Sequence, residues 1–339
     1  MRETELVKST VLPAAPPIPG LVFRGFQNEA DFAKMADILQ GSKEVDQFDH
    51  VDDAQDLARF YAHLVNFDIS EDLVLAEVGG RVIGYASARW FLEISGYYIH
   101  KHKGFVLPAW RRKGIGSYLL RILEERQREV ASHLQQDAAH FFESSATDTE
   151  YAAEALLRSE GYQPVRHFYT MVRPDLEDIP EAPLPSGLEV QPVEPEHYQI
   201  VCDANSEAFR DHWGYSPAYD LTVEKFLTNP TFDPTLWRVA WDGEQVAGMV
   251  LSYIDRKQNA EYNRLRGWTE DIAVRRPWRN RGLARALIVL SLHALKERCM
   301  SEAALTVDPD NLTGALRLYE SVGFRPVKRF SLYHKPLTI

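Results

Sequence analysis

Two segments of the sequence carry the same basic, glycine-containing pattern, each between a predicted strand and a predicted helix. Residues 106–116 read VLPAWRRKGIG, and residues 274–284 read VRRPWRNRGLA. A helix that begins after such a turn directs several backbone N–H groups at one point, where the helix dipole adds partial positive charge. Glycine lets a ligand approach the backbone closely. The pattern therefore predicts a phosphate-binding turn in each segment.

The predicted ligand-binding residues are the members of these two turns. They are Arg111, Arg112, Lys113, Gly114, Ile115 and Gly116 in the first segment and Arg279, Asn280, Arg281, Gly282, Leu283 and Ala284 in the second. The cationic side chains are expected to add electrostatic attraction to that of the backbone amides. A single turn of this kind is about equally often a solvated helix cap, but two copies in equivalent contexts favour phosphate binding.

The two segments lie at a constant spacing. Arg111 and Arg279 are 168 positions apart (279 − 111), and so are Gly114 and Gly282 (282 − 114). A repeat this long indicates a duplicated domain and not a solenoid. The order of predicted strands and helices is also similar in the two halves, and each turn opens a long amphipathic helix, at about residues 115–134 and 283–299.

Two proline-rich stretches divide the chain, at residues 11–20 and 174–187. Proline at this density disfavours helix interiors and central strands, so these stretches are typical of linkers. A chain of 339 residues also suits two separate cores. The predicted organisation is an N-terminal arm at 1–20, a first domain at 21–176, a linker at 177–187 and a second domain at 188–339.

The composition is that of a folded, acidic protein. Hydrophobic residues make up 45% of the chain and charged residues 26%, and the formal net charge is −11. An acidic balance argues against a general nucleic-acid binder, which needs a basic surface. The sequence starts without the apolar stretch of a secretory signal, and Cys202 and Cys299 form neither a disulfide framework nor a metal pattern. We therefore expect a cytoplasmic protein without a membrane segment or a metal.

With these motifs the sequence resembles the GCN5-related N-acetyltransferase (GNAT) superfamily, whose diphosphate motif is Gln/Arg-x-x-Gly-x-Gly/Ala. Both turns match this motif, and the second half also matches the family's C-terminal signature with Asn311, Tyr319 and the pair Gly323 and Phe324. The resemblance covers essentially the whole chain as two GNAT units. The tandem layout, with the stronger unit C-terminal, resembles that of mycothiol synthase and its relatives.

The resemblance implies an α/β (α+β) fold of two tandem GNAT domains. Each is expected to be a twisted, mixed, largely antiparallel sheet with helices on both faces, and its fourth and fifth strands are expected to splay apart and admit acyl-CoA. The resemblance also implies acetyl-CoA as co-substrate and a small-molecule primary amine that attacks the thioester directly. The pantetheine arm is expected to contact Val106, Ile272, Ala273, Val274 and Asn311.

Two residues of the second half match the catalytic groups of the family. Tyr319, four residues before Gly323, matches the tyrosine that protonates the departing thiolate, and its alternative is a ring packed against the sheet. Glu270 is the expected base for the amine, and its alternative is a solvated glutamate at a strand edge. Even spacing predicts Glu270 on the same strand face as Ile272 and Val274, with Asp271 on the opposite face.

Three further residues of the second half have open roles. Asp211 and His212, at the end of a helix predicted at about 196–213, compete with Glu270 as bases or else shape the acceptor cleft or cap their helix. Asn311 is expected either to cap the helix that follows it or to bond pantetheine.

The first half departs from the family pattern at the catalytic positions. Leu157 stands where the tyrosine is expected, and Thr149 stands where the asparagine is expected. Because leucine cannot protonate a thiolate, this unit is expected to hold acyl-CoA but to transfer poorly or not at all. His102 matches Glu270 by spacing and is a second candidate base, the alternative being a polar residue on an exposed strand face or a domain interface.

The sequence thus predicts acetyl transfer from acetyl-CoA to a primary amine in the C-terminal unit. Its alternatives are another acyl-CoA as donor and a non-catalytic acyl-CoA sensor or scaffold. Phe209, Trp213 and Tyr215 are interpreted either as lining the acceptor pocket or as inter-domain packing. The identity of the amine and the oligomeric state, monomer or homodimer, are left open.

Overall fold

The computed structural model describes residues 14–49, 51–311 and 314–338. Its strands are β1 (Leu21–Gly25), β2 (Leu73–Val78), β3 (Arg81–Leu92), β4 (Tyr98–Val106), β5 (His140–Thr147), β6 (Gln163–Arg173), β7 (Glu189–Gln191), β8 (Arg238–Asp242), β9 (Gln245–Tyr253), β10 (Arg266–Val274), β11 (Glu302–Val307) and β12 (Arg325–Pro336). Its helices are α1 (Ala30–Asp46), α2 (Ala54–Ala62), α3 (Ile115–Ser132), α4 (Tyr151–Ser159), α5 (Tyr198–Phe209), α6 (Val223–Thr228), α7 (Arg256–Glu261), α8 (Leu283–Glu297) and α9 (Ala315–Ser321). Of the predicted N-terminal arm, residues 1–13 lie outside the described residues.

The strands of both halves join in one sheet with the order β1-β2-β3-β4-β5-β12-β6-β11-β10-β9-β8-β7. The last strand of each half pairs with the fifth strand of the other half, because β12 is antiparallel to β5 and β6 is antiparallel to β11. β6 and β12 also pair with each other, and Phe168 and Phe330 stack there with ring centroids 4.8 Å apart. The predicted domain boundaries stay a prediction, to which the structure adds this exchange of strands.

Helices cover both faces of the sheet. On one face, α3 buries Ile115 and Leu119 and α8 buries Leu283 and Leu287, each pair four positions apart and therefore on one side of its helix. On the opposite face, α1 and α5 cover separate apolar clusters, with Val201 of α5 fully buried. The predicted mixed α/β fold with helices on both faces is confirmed.

The fourth and fifth strands of each half separate after a short parallel pairing. β4 pairs with β5 only from Tyr98 to Lys101, and β10 pairs with β11 only from Arg266 to Trp268. Beyond these residues the paired strands diverge, so each half has the predicted opening. The opening in the second half lies between β10 and β11.

The segment after the first long helix of each half docks on the other half. Helix α5 ends at Phe209, earlier than the predicted residue 213. The segment after it reaches the chain that follows β3, where Ile94 N–H donates to the Tyr215 carbonyl at 3.0 Å. The guanidinium of Arg166 on β6, in the first half, lies over the Trp213 ring at 5.6 Å from its centroid. In the symmetric position, Tyr262 O–H donates to the Phe48 carbonyl. Trp213 and Tyr215 therefore take part in packing between the halves.

Candidate active site

The two predicted phosphate-binding turns have the same backbone conformation. Asn280 and Gly282 have φ values of 60° and 83°, and the matching Arg112 and Gly114 have 61° and 84°. A φ near 80° is in the left-handed region that glycine adopts without strain. No side chain of the described chain caps α8 or α3, so the first N–H groups of both helices are available to an anion.

The space in front of the two turns differs. A Cβ placed on Gly282 would meet no described atom within 4 Å, whereas one on Gly114 would lie 3.3 Å from the Pro16 ring. The second turn is therefore open to a ligand on the side that a Cβ would occupy. The first turn is partly covered by the described end of the N-terminal arm.

The electrostatic role predicted for the two motif arginines needs correction. Arg279 donates from Nε to the Val274 carbonyl at 2.9 Å and from Nη1 to the Asp211 carboxylate at 2.9 Å. Arg111 makes the same pair of contacts, with the Val106 carbonyl at 2.8 Å and the Asp46 carboxylate at 2.7 Å. Because each guanidinium is neutralised by an aspartate, it ties its turn to the strand end and to the preceding helix.

The same contacts remove Asp211 from the candidate bases. Arg276 and Arg279 both pair with its carboxylate and hold the pKa of Asp211 well below its usual range. A carboxylate this acidic is a poor acceptor for the proton of an amine. Asp211 instead anchors the turn.

A β-bulge reorients the middle of β10. Glu270 lies opposite Leu251 and Ala273 lies opposite Met249, so that Asp271 and Ile272 together face the single residue Val250. Asp271 has a φ of 48°, which is unusual for a residue with a side chain. The bulge inserts one extra residue and shifts the alternation of side chains along the strand.

The bulge makes the predicted face of Glu270 wrong. Leu251, the partner of Glu270, belongs to the apolar cluster under α5, whereas Ile272 and Val274 pack against the cluster under α8. Glu270 therefore lies on the α5 face, opposite to Ile272 and Val274. Asp271 lies on the α5 face too, since Asn205 of α5 donates to its carboxylate at 3.5 Å.

Two adjacent carboxyl groups thus lie on one face of the sheet, where both residues are partly buried. Burial raises the pKa of Glu270 to about 8, the charge of Asp271 adds to the rise, and hydrogen bonds from Thr306 of β11 oppose it. Burial likewise raises the pKa of Asp271 to about 6, against the opposing hydrogen bond from Asn205. A glutamate with a pKa this high matches the proton affinity of an amine far better than an ordinary carboxylate does.

Tyr319 approaches the same opening from the other face. It is 6% exposed, belongs to the apolar cluster with Leu283 and Leu287, and lies edge-on to Phe324. Burial raises the pKa of its phenol above the ordinary value, and the nearby charge of Glu270 raises it further. A carboxyl group and a phenol therefore flank the opening between β10 and β11 from opposite faces of the sheet.

Comparison with known proteins agrees with this architecture. Models of the acetyltransferase (GNAT) family and of a GNAT domain match residues 198–324 and 70–164. A mycothiol acetyltransferase of Thermomonospora curvata is 32% identical over 68% of this chain and 72% of its own length, and one of Catenulispora acidiphila is 28% identical over 65% and 67%. The chain belongs to the GNAT family. By class it is an acyl-CoA-dependent N-acetyltransferase with two tandem GNAT units.

Solved structures support the fold of these two units together. A GCN5-related N-acetyltransferase of Sphaerobacter thermophilus superposes with a TM-score of 0.70 at 24% identity, and the match covers 95% of this chain and 97% of that one. The match extends over both GNAT units of the chain.

Asn311 of the second GNAT unit does not cap the helix that follows it. The N-cap of α9 is Gly314, which has a φ of 71°, and no described side chain bonds the helix start. The Asn311 carbonyl instead accepts from Gly314 N–H at 3.2 Å, within the turn that precedes the helix. The N-cap position itself is therefore taken by Gly314, and the contact of Asn311 with pantetheine stays a prediction.

The first GNAT unit has no bulge at the corresponding strand. β4 pairs with β3 in one unbroken register, with Lys103 opposite Ser87 and His102 opposite Ala88. Gly84 of β3 and Gly248 of β9 are equivalent, because each pairs with the last valine of the next strand, Val106 or Val274. Three residues after these glycines, Ser87 corresponds to Leu251, so Lys103 takes the place of Glu270. The predicted match between His102 and Glu270 is wrong, because the extra residue in β10 shifts the count by one.

Lys103 closes part of the first opening. Its ammonium donates to the Glu150 carboxylate and to the Ser145 carbonyl, both at 2.9 Å, and so bridges β4 and β5. An ammonium paired in this way cannot accept a proton. Leu157, which stands where the family has its tyrosine, is 4% exposed and packs in the core beneath α4.

His102 has a different environment from the one predicted. It is buried on the α3 face, where its Nε2 lies 3.0 Å from the hydroxyl of Tyr162, which itself donates to the Glu124 carboxylate at 2.8 Å. Burial lowers the pKa of His102 to about 4. Sequence analysis missed Tyr162, whose only signal is its place after Gly161, where the second unit has Phe324.

The first unit nevertheless encloses a cavity of about 400 Å³ beside its turn. Its walls include Gly114 and Gly116 at the start of α3, Val106 at the end of β4, Lys103 within the opening and Leu157 of α4. Five of the seven predicted cofactor-binding residues of this unit therefore border one space, namely Val106, Arg111, Arg112, Gly114 and Gly116, whereas Lys113 and Ile115 do not line it.

The described part of the chain contains no group of three or more His, Cys, Asp or Glu side chains able to hold a metal ion. No described helix combines the length and the apolar character needed to cross a membrane.

Proposed function

We propose that the second GNAT unit transfers an acetyl group from acetyl-CoA to the primary amine of a small molecule. The observation that carries this proposal is the placement of Glu270 and Tyr319 on opposite sides of the opening between β10 and β11. The uncapped start of α8, with open space in front of Gly282, suits the diphosphate of the co-substrate. Mycothiol acetyltransferases among the relatives support an acetyl donor.

The residues divide the proton transfers between them. Acetyl-CoA supplies an activated thioester, and Glu270 accepts the proton that makes the amine nucleophilic. Backbone N–H groups of β10 beyond Trp268, which are not paired with β11 in the described sheet, are suited to stabilise the oxyanion. Tyr319 then donates its proton to the departing thiolate. Ile272, Ala273, Val274 and Asn311 are proposed to contact pantetheine.

The first unit is proposed to bind acyl-CoA without transferring the acyl group. Its turn and its cavity resemble those of an acyl-CoA site, but Lys103 replaces the base and Leu157 replaces the acid. Because β4 pairs in an unbroken register, its backbone also lacks the local change of direction that the bulge produces in β10. We therefore assign one catalytic unit to the molecule.

The substitution Tyr319→Phe tests the proposal. The expected result is a fall in kcat of about 10²-fold or more with CoA affinity retained, because the lost hydroxyl acts only when the thiolate leaves. Release of free thiol measures turnover over a panel of amines, and calorimetry measures CoA binding.

The matched control is Tyr162→Phe, which removes a buried hydroxyl from the first unit and introduces the residue found at the equivalent position of the second. It should leave acetyl transfer unchanged. Wild-type turnover in Tyr319→Phe would remove the acid role of Tyr319.

A further inference from the structure

A second cavity, of about 920 Å³, lies between the two GNAT units. We call it the interunit cavity. Its wall residues include Phe60, Arg89, Tyr219, Lys225, Phe232 and Tyr253. A space of this size, with aromatic side chains from both units, fits a small organic molecule.

Arg89 contributes a positive charge to the wall of the interunit cavity. It lies on β3 of the first unit and is partly buried, with its guanidinium over the ring of Tyr219 at 5.1 Å from the centroid. Within the described residues it forms no ion pair with a carboxylate. A partly desolvated guanidinium that has only a ring as partner retains its capacity for a bidentate contact with an anion.

Lys225 of α6 brings a second positive charge to the same place from the second unit. Its ammonium donates to the backbone carbonyl of Asp220 at 2.7 Å, while the Asp220 carboxylate accepts from the hydroxyl of Tyr215 at 2.7 Å. Burial lowers the pKa of Lys225, the charge of Asp220 opposes this, and repulsion from Arg89 lowers the pKa further. The two cations are thus close enough for the positive charge of one to disfavour that of the other.

Asp56, Asp233 and Asp255, which line the cavity, have partners other than Arg89 and Lys225. Asp56 pairs with Arg59 at 2.9 Å and with Lys257, Asp233 pairs with Arg298 at 3.0 Å, and Asp255 caps α7 by accepting from Gln258 N–H at 2.8 Å. Among the described residues neither Arg89 nor Lys225 forms an ion pair with a carboxylate, and two neighbouring cations are stabilised when an anion binds between them.

The cavity also extends toward the proposed reaction centre. Tyr253, one of its wall residues, stacks on Trp268 with a centroid distance of 6.2 Å, and Trp268 lies two residues before Glu270 on β10. The charge of Glu270 contributes to raising the pKa of Tyr253. A molecule held at Arg89 can therefore extend along these rings toward the carboxyl group that is proposed as the base.

We propose that the interunit cavity is the acceptor site and that it selects an amine which also carries a carboxylate or phosphate group, bound between Arg89 and Lys225. The inference rests on the proposed function, because it takes the acceptor to be the substrate of the second unit. It adds a class of substrate and assigns a binding role to one residue of each unit.

Binding of inorganic phosphate and of acetate provides the first test. Each anion is titrated by calorimetry at constant ionic strength into protein saturated with CoA, so that both turns are already filled. We expect saturable binding to wild type that weakens at least tenfold in Arg89→Met, is partly kept in Arg89→Lys and is unchanged in Arg121→Met, a remote control that loses the same charge. Absence of saturable binding, or equal binding to Arg89→Met, would overturn the inference.

Matched acceptors provide the second test. Glucosamine 6-phosphate is compared with glucosamine, and 4-aminobutanoate with butylamine, by steady-state kinetics. The anionic member of at least one pair should have a KM about tenfold lower at similar kcat, and Arg89→Met should remove the difference. The pair that shows the larger difference identifies phosphate or carboxylate as the preferred group. Equal KM values within both pairs in wild type would refute selection of an anion.

Failure of the proposed function has its own signature. In that case the protein would transfer acetyl groups to no amine of the panel but would still bind phosphate in an Arg89-dependent manner. Failure of the inference alone would appear as acetyl transfer that is indifferent to the anionic group and to Arg89.

Discussion

At the scale of single residues, the catalytic proposal depends on how the fold changes two ordinary side chains. An exposed glutamate is too acidic to deprotonate an amine efficiently, whereas Glu270 has its pKa raised to about 8, first by burial and then by Asp271. Tyr319 is placed beside the same opening by a helix on the other face. The proposed roles of both groups therefore depend on the burial and the position that the fold gives them.

The substitution Glu270→Gln should separate activity from stability. Because the folded-state pKa of Glu270 is raised from 4.5 to about 8, ionisation opposes folding, and stability is lost as the pH rises between these values. Glutamine cannot ionise, so the variant should melt at a higher temperature than wild type at pH 8.5 and at the same temperature at pH 4.5. Thermal melts at both pH values measure this difference.

Kinetics of the same variant test the base. We expect kcat/KM to fall by about 10²-fold or more in Glu270→Gln, and wild-type kcat/KM to rise with pH up to about 8 as the carboxylate forms. Glu129→Gln, on the exposed side of α3, is the control and should change neither property. An acid limb near pH 4.5 in wild type would contradict the assignment.

At the scale of elements, the bulge in β10 distinguishes the strand that we propose to be catalytic from its counterpart β4. A single left-handed residue, Asp271, turns Glu270 to the α5 face, and β4 of the first unit lacks this feature. The two strands therefore differ by one inserted residue as well as by the exchange of glutamate for lysine at the position of the proposed base.

Two substitutions at Asp271 test the bulge. Glycine accepts a positive φ, so Asp271→Gly should keep the position of Glu270 and most of the activity, with the acid limb of the pH profile shifted to lower pH because a neighbouring negative charge is gone. Valine disfavours this conformation by about 1–2 kcal/mol, so Asp271→Val should lower stability and reduce kcat/KM by about 10²-fold. Full activity of Asp271→Val would show that the bulge is not required.

Local motifs made much of this architecture predictable from the sequence. The order Trp-Arg-x-basic-Gly identifies both phosphate-binding turns, since the conformation of such a turn depends on residues that are adjacent in the sequence. Counting back four residues from Gly323 identifies Tyr319. Counting along the strand gives the wrong face for Glu270 and the wrong equivalent for His102. The count assumes regular alternation of side chains, whereas a β-bulge inserts one residue without a sequence signal. The charge of Arg111 and Arg279 was also misjudged, because Asp46 and Asp211 meet them only in the folded chain.

At the scale of the whole molecule, the exchange of β6 and β12 joins the units independently of the linker. β12 pairs with β5 on one side and β6 on the other, and Arg166 of β6 forms an ion pair with Asp308 after β11 at 2.7 Å. This pairing could not be foreseen, because duplicated halves offer two similar partners for each last strand, and sequence pattern does not distinguish them.

Cleavage of the linker tests the exchange. A protease site inserted between Pro185 and Ser186, within the predicted linker at 177–187, should yield two fragments on a denaturing gel that still elute together in native gel filtration. They should separate only in denaturant, because each fragment supplies a strand to the sheet of the other. Elution as two half-size species without denaturant would contradict the observed strand order.

The exchanged strands also bear on how a duplicated enzyme can change over evolutionary time. A copy without a base and an acid, as we propose for the first unit, is normally free to be deleted, yet removing this unit would remove β6, the immediate neighbour of β11 at the edge of the second opening. Selection on the chemistry of one unit therefore preserves the scaffold of the other, whose own cavity is left free to acquire a different use.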